Sequence, residues 1–493
     1  MIIDFFWLNQ SFTKGIDTMA TAAAQREAYM TTLGERTSYG LYFTGQNIFY
    51  MLVTTYLVTY LMFLGIDLSK TATIMLIVKV WDALNDALFG AVFDKVHFKS
   101  GRKCLPWLRI SAAFIPVTTI LLFIIPQGAP EAVKLAWFAI AYLLWDTAYT
   151  FCDVPIFTMV TTMTDRLDER NSLMARGRIF SGGGMAVAGI LCTVLISEKV
   201  GLGFGAVSVL LSVLGCLLML PICVNGKERN YHVEHEEETF TLREMLRYLI
   251  HNKYLLLYYG GSVISGSLAT AGTLGMFASY YFFGSAVFNL FLTALSALPA
   301  VLLAFFTPAI LRRVDKFKFF IACNVFSAVF GLVIYFVGYQ NVPLFVLLSV
   351  IRAIPAGAIG VVGFMFTPDC AEYGQYKTGT DAKGITFAIQ TFSTKINAAV
   401  SSSLGLFLLK FFDWVSVEAN SFADLEAAGV VQSETALHGL WIAYALVPAI
   451  GALLALVFYA FYRLNDKDVQ IMAKCNAGEL SRTQAEAMLS RKY

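Results

Sequence analysis

Charge is scarce in this 493-residue chain: Lys, Arg, Asp and Glu make up 14% of it, against about 25% in an average soluble protein. Histidine occurs five times and cysteine eight times. The cysteines, at 104, 152, 192, 216, 223, 323, 370 and 475, stand singly and mostly inside apolar runs. With no CxxC and no Cys/His ligand spacing, they read as reduced packing residues rather than metal ligands. A net charge of +2 without a dense basic stripe excludes a nucleic-acid partner. HExxH, GxSxG and P-loop patterns are absent, and no acid, base and nucleophile cluster together, so an enzyme is not expected and neither is a cofactor. Met1 to Phe12 is acidic and aromatic, without a basic start or small-residue cleavage site, and no cleavable signal is expected. Met19 and Met30 are alternative starts, and the first thirty residues receive no function.

What is abundant is apolar surface. The chain is 57% hydrophobic and holds 41 phenylalanines. Much of this falls in runs of about 20 residues, the length that crosses a bilayer as a helix. The runs are continuous rather than alternating, which excludes a transmembrane β-barrel. About twelve spans are predicted, roughly at 38–64, 71–94, 105–126, 133–163, 174–197, 202–224, 253–284, 286–311, 317–338, 342–370, 384–412 and 436–463. The fold class is an all-α polytopic membrane protein. The longest polar stretch, Asn225 to Asn252, divides it into two six-helix halves. The expected organisation is an N-terminal segment 1–37, a bundle 38–224, a linker 225–252, a second bundle 253–463 and a tail 464–493. In the linker, Thr241 and Glu244 fit a capping box, and the linker as a whole reads as a solvated connector.

Basic residues set the orientation. If both termini are cytoplasmic, inner loops hold Lys95, Lys99, Arg102 and Lys103, then Arg166, Arg170, Arg176 and Arg178, then Arg312, Arg313, Lys316 and Lys318. Outer loops keep Lys70, Lys134 and Lys199. The 413–435 loop carries Asp413, Glu418, Asp424, Glu426 and Glu434, with no Lys or Arg. The asymmetry places both ends in the cytoplasm and the chain in the cell membrane.

A charge at the centre of a membrane helix costs roughly 2.5–3.5 kcal/mol on insertion scales, so each one needs a reason. Asp82, Asp86, Asp146, Asp153, Arg352 and Lys395 fall within the spans. Asp82, Asn85 and Asp86 are spaced i, i+3, i+4 and project from one helix face. Two carboxylates and an amide oxygen suit a small hard cation such as Na⁺, and crowded carboxylates equally suit a proton. The competing structural reading is an ion pair with an intramembrane base. Asp146, Tyr149, Thr150, Asp153 and Phe157 form a second stripe, in which a ring beside a carboxylate can hold a sugar. Pro155 is expected to open the backbone there. Lys395 is the natural partner of Asp82 or Asp86, and would then compete with a cation. Arg352 reads as a helix-end or interhelical hydrogen-bonding residue, and Asp146 is left without a role.

These residues lie in a longer resemblance. Glu35–Asn47, KVWDALNDALFGAVFDKVHFKSGRKCLPW at 79–107, TAYTFCDVPIF at 147–157, DERNSLMARGR at 168–178 and PDCAEYGQYKTGTDAKGITFAIQTFSTKIN at 368–397 occur in this order. The sequence resembles the glycoside–pentoside–hexuronide:cation symporters of the major facilitator superfamily, whose best-known members are the melibiose permeases, over about 34–463. The resemblance implies two six-helix bundles rocking about a central site. It implies a cation site (Na⁺ or H⁺, with Li⁺ possible) at Asp82, Asn85, Asp86 and Thr150. It also implies a sugar carboxylate at Asp153 with Tyr149 beside it, a basic sugar contact at Arg178, and a charge linking both sites at Lys395. Asn47 stands where melibiose permeases have Asp, Phe157 where they have Trp, and Leu105 where a basic residue is usual. The 368–397 stretch is similar to glucuronide and other glycoside carriers.

The reading is a secondary transporter that imports a glycoside with Na⁺ or H⁺ by alternating access and works as a monomer. Its rivals are a facilitator carrying a lipid or drug and, further off, a membrane enzyme or receptor.

Overall fold

The computed structural model describes residues 29–493 except 97, 230–241, 380–382 and 492, and within the second span it leaves out the side chains of 80, 83, 84, 86–88, 90–92 and 94, with that of 242. The predicted capping box at Thr241 and the segment before Tyr29 therefore lie outside the described residues. The described residues are helical apart from turns and one isolated bridge.

The first half comprises α1 (Leu33–Met51), which passes through a π-helical turn at Leu52–Tyr56 into α2 (Leu57–Met62). It continues with α3 (Leu68–Lys95), α4 (Cys104–Phe123), α5 (Glu131–Met163), α6 (Leu167–Ile196) and α7 (Phe204–Asn225). After the short α8 (Leu242–His251) come α9 (Lys253–Ser267), α10 (Ala271–Phe283), α11 (Val287–Leu311), α12 (Lys316–Val337), α13 (Val342–Thr378) and α14 (Lys383–Phe411). The chain closes with α15 (Phe422–Ala427), α16 (Glu434–Trp441), a π turn at Ile442–Leu446, α17 (Val447–Tyr459), α18 (Asp466–Asn476) and α19 (Arg482–Met488). Eight of these helices or joined helices are long and apolar enough to cross a membrane by composition. The paired α1/α2 and α9/α10, with the more polar α3 and α14, complete twelve spans. An even number of spans places Tyr29 and Tyr493 on one face, called here the terminal rim; the opposite face is the far rim.

Helices close most tightly where glycine removes the side chain. A Cβ on Gly45 would overlap the Gly215 carbonyl, and one on Gly184 would overlap the Thr44 carbonyl. Helix α1 therefore crosses α7 and α6 backbone to backbone, the close approach that small residues permit when lipid offers no hydrophobic drive. In the second bundle α13 lies between α11 and α12, and α9 between α14 and α17. The bundles meet chiefly along α3 and α14.

Three expectations change. The span expected at 253–284 is interrupted at 268–270. There Thr270 Oγ1 donates to the Ala443 carbonyl, which belongs to the π turn of the last span; a π turn takes a carbonyl out of the regular ladder, and the broken helix uses it. Pro155 does not open its helix, since α5 runs without interruption from Glu131 to Met163. The linker, expected as a solvated connector, is tied to the first bundle at its start, while 230–241 lie outside the described residues. Glu228 accepts from the backbone amides of Lys103, Cys104 and Leu105 at the start of α4, and Arg229 pairs with Glu35 at 2.9 Å. A carboxylate over the first amides of a helix satisfies donors that the helix itself cannot.

Candidate functional site

The site is built on α3, α5, α1 and α14. Lys395 Nζ on α14 lies 2.8 Å from Asp82 Oδ1 and 3.2 Å from the Asp82 carbonyl on α3, joining the two halves by one ion pair. The ion-pair reading therefore describes Asp82. Lys79, one turn earlier on α3, sits 5.0 Å over the ring of Tyr142.

The next turn of α3 faces α5. Asn85 Nδ2 donates to Asp146 Oδ2 at 3.1 Å and to Thr150 Oγ1 at 2.9 Å, while Thr150 Oγ1 donates to the Asp146 carbonyl at 3.1 Å. Asn85, Asp146 and Thr150 are all buried. Both protons of the Asn85 amide are used, so the polar atom it has left is its oxygen, an acceptor beside the Asp146 carboxylate. Such a cluster can bind a cation through oxygen. Asp86 lies one turn beyond Asp82 on α3, but its side chain is outside the described residues. Asp82 and Asn85, predicted to act from one face, divide their contacts between α14 and α5.

The stripe on α5 divides likewise. Asp146 and Thr150 face α3, whereas Asp153 faces α1, where Gln46 Nε2 donates to its Oδ1 at 2.7 Å. Gln46 is buried and its amide oxygen has no hydrogen-bond partner among the described residues. Tyr149 stacks on Trp145 at 5.3 Å and leans on Tyr50 at 5.4 Å. Phe157 is 40% exposed and meets the edge of Phe43 at 5.4 Å, leaving one face open. Asn47 donates to the Phe43 carbonyl at 2.9 Å and spends that donor on its own helix. Arg178 is exposed on α6 and makes no hydrogen bond or ion pair with a described residue. Arg352 is not at a helix end. It lies inside α13, with its guanidinium near Gly331 of α12.

The geometry thus adds three residues that the sequence reading leaves out or without a role. Lys79 is an intramembrane charge three residues before Asp82 and carries the same signal as the six charges considered. Asp146 is part of the amide-centred cluster. Gln46, next to Asn47 in the Glu35–Asn47 motif, had no signal beyond its polarity within an apolar span.

Two helical bundles enclosing buried charge at mid-depth define a multi-pass membrane carrier. The model for the family described as MFS/sugar transport protein matches residues 38–466. The chain belongs to that family, and is a transporter rather than an enzyme. It is 22% identical over 454 residues to the isoprimeverose transporter of Lactiplantibacillus pentosus, covering 90% of this chain and 91% of that one. It is 23% identical over 417 residues to the glucuronide carrier protein homolog of Escherichia coli (strain K12), covering 82% and 86%. It is 25% identical over 439 residues to an uncharacterized symporter of Bacillus subtilis (strain 168), covering 87% and 91%. Among solved structures, the nucleoside transporter NupG matches with a TM-score of 0.62 at 12% identity, over 87% of this chain and all of that one. That likeness carries the fold alone.

Proposed function

We propose that this transporter moves a glycoside together with Na⁺ or H⁺ across the cell membrane, importing it with both termini in the cytoplasm. The observation that carries the reading is the Lys395–Asp82 pair, a charge contact at mid-depth between bundles that must move apart, beside the oxygen cluster of Asn85, Thr150 and Asp146. Relatives that are called an isoprimeverose transporter and a glucuronide carrier support a glycosidic substrate. The broken α9/α10 supports a site at the bundle interface, where discontinuous helices offer backbone groups to a bound solute.

In this reading Asp82, Asn85, Asp86 and Thr150 hold the cation. Asp82 exchanges Lys395 for the cation, and the freed ammonium turns to the sugar. Sugar hydroxyls pair with Asp153 and Arg178 and, more weakly, with Asn47, one of whose amide protons is spent on Phe43, and the faces of Tyr149 and Phe157 cover the apolar side of the ring. Cation binding offsets the buried carboxylates, so that the loaded carrier reorients as a neutral unit and neither solute crosses alone.

The test is calorimetry of purified protein with a panel of glycosides, with and without Na⁺, at two pH values. Glycoside binding that tightens with Na⁺ establishes Na⁺ coupling, and binding that responds to pH alone establishes H⁺. If no glycoside binds under any of these conditions, the substrate class is wrong and a lipid or drug becomes the better candidate.

A further inference from the structure

The acidic loop between α14 and α16 has no part in the site just described, yet it makes most of the polar contacts between the bundles. It starts on the second bundle and lies across the first. Leu64 and Glu418 form an isolated antiparallel bridge, and the Ala419 amide donates to the Phe63 carbonyl at 2.9 Å. Ser416 Oγ donates to the Ile66 carbonyl at 2.9 Å, and Phe204 N to the Asn420 carbonyl at 3.0 Å. Glu418 Oε1 receives Lys134 Nζ and the Gly128 amide, each at 2.6 Å, and Gln127 donates to the Ala419 carbonyl at 2.7 Å. Lys134 is buried and hydrogen-bonds the Leu64 carbonyl as well. Phe422 is fully buried, 5.0 Å from the ring of Phe63 and 5.1 Å from that of Tyr280, so one side chain of the loop plugs the seam where the two bundles touch. Nearby, Lys410 pairs with Asp67 at 2.9 Å and Glu198 accepts from Ser285 Oγ at 2.5 Å.

Apart from Lys134–Leu64 and Phe422–Tyr280, which stay within one bundle, these contacts join one bundle to the other, and all lie on the far rim. Below them, the polar contact between bundles that the described residues make is Lys395–Asp82 at mid-depth. The seal is therefore asymmetric. Its polar part is made of elements that can part together, one bridge rather than a sheet, a few single hydrogen bonds and ion pairs at the rim, set around the rings of Phe63, Phe277 and Phe422.

We infer that the 413–427 loop is the far-rim gate of the carrier, that Glu418 and Lys134 are its latch, and that the conformation seen here is the one with this gate shut. The inference rests on alternating access alone and is independent of which solute is carried. Opening the site to the far side then requires Glu418 to leave Lys134 and Gly128, and Phe422 to leave Phe63. The loop's lack of basic residues fits the role, because it brings the acid that the basic Lys134 of the other bundle needs.

The experiment places a reporter cysteine at Tyr50, a central residue 37% exposed beside Tyr149, and labels it with a membrane-impermeant maleimide. Reagent is applied to the far side, which intact cells and inverted vesicles together identify. In Glu418→Gln the labelling rate is expected to rise at least fivefold. A second variant adds Gly203→Cys and Asn420→Cys, since a Cβ on Gly203 would lie 3.2 Å from the Asn420 Cβ, close to disulfide spacing. Oxidation is expected to cut far-side labelling at least tenfold and reduction to restore it, the reduced protein serving as its own folding control. Far-side labelling unchanged by Glu418→Gln, or undiminished in the oxidised variant, overturns the gate. No substrate enters the assay, so an error in the glycoside reading leaves its outcome untouched.

Discussion

Lys395 and Asp82 are 313 residues apart in the chain and 2.8 Å apart in space, each about one-fifth exposed. The ammonium occupies the place on Asp82 that a coupling cation would need. Replacing Asp82 with Asn should abolish the tightening of glycoside binding by Na⁺ while leaving the protein folded. Calorimetry with and without Na⁺, alongside a melting curve, separates the two effects.

The same pair predicts a stability change. Lys395→Met leaves Asp82 without its ammonium, and losing a hydrogen bond to a charged group costs roughly 1.5–3 kcal/mol. Added Na⁺ should recover part of this, because the ion binds the folded state at the vacated carboxylate. A melting temperature of the variant that fails to rise with Na⁺, when the native protein's does, contradicts the exchange.

Asn85 holds the oxygen cluster together. Leucine at this position removes two hydrogen bonds, to a buried Asp146 and a buried Thr150, at a cost of about 1–3 kcal/mol each. Asn85→Leu should therefore destabilise more than Lys395→Met. Asn85→Leu with Asp146→Leu should recover stability relative to the single variant, and thermal unfolding of both in detergent reads the difference.

How far the sequence carries is visible in these residues. The twelve spans follow from run length, because the bilayer imposes one length on every helix. Asp82 and Lys395 were legible as a pair because each is costly in lipid unless answered. Their exact match was not, since nothing along the chain distinguishes Asp82 from Asp86 as the partner. Asn47 is implied as a sugar contact only by its place in the resemblance, and nothing along the chain shows that one of its amide protons serves the carbonyl one turn earlier on its own helix. Gln46 carried no signal because helix rotation decides which of two adjacent polar residues meets Asp153. The break at 268–270 was hidden for another reason: its Thr270 bond goes to Ala443, and tertiary partners of that kind leave no local pattern.

The far-rim gate should respond to acid. Lys134 and the Gly128 amide hold the Glu418 carboxyl below its ordinary 4.5. A lowered carboxyl contributes its stabilisation above its ordinary value and loses it as pH falls through the lowered one. Asp67, held down by Lys410, follows the same sign. Far-side labelling of the Tyr50→Cys reporter should thus be flat from pH 8 to 5 and rise below about 4.5. In Glu418→Gln that rise should be smaller, since its largest titrating contact is already gone.

Gln46 and Asn47 offer a direct contrast in how the proposed sugar site would read its ligand. Gln46 donates to Asp153, and its buried amide oxygen has no partner among the described residues, so a ligand hydroxyl entering here can donate to that oxygen beside the carboxylate. Asn47 has already committed its amide to Phe43. Gln46→Ala should weaken glycoside binding about tenfold or more, the size of one hydrogen bond to a charged group. Asn47→Ala should change it by less than threefold. If Asn47→Ala instead causes the larger loss, Asn47 must turn from Phe43 towards the sugar on binding, and the resting geometry is not that of the loaded site. Because both variants lie on one turn of α1, a general disturbance of that helix would lower both affinities together, and only a selective loss discriminates between the two side chains.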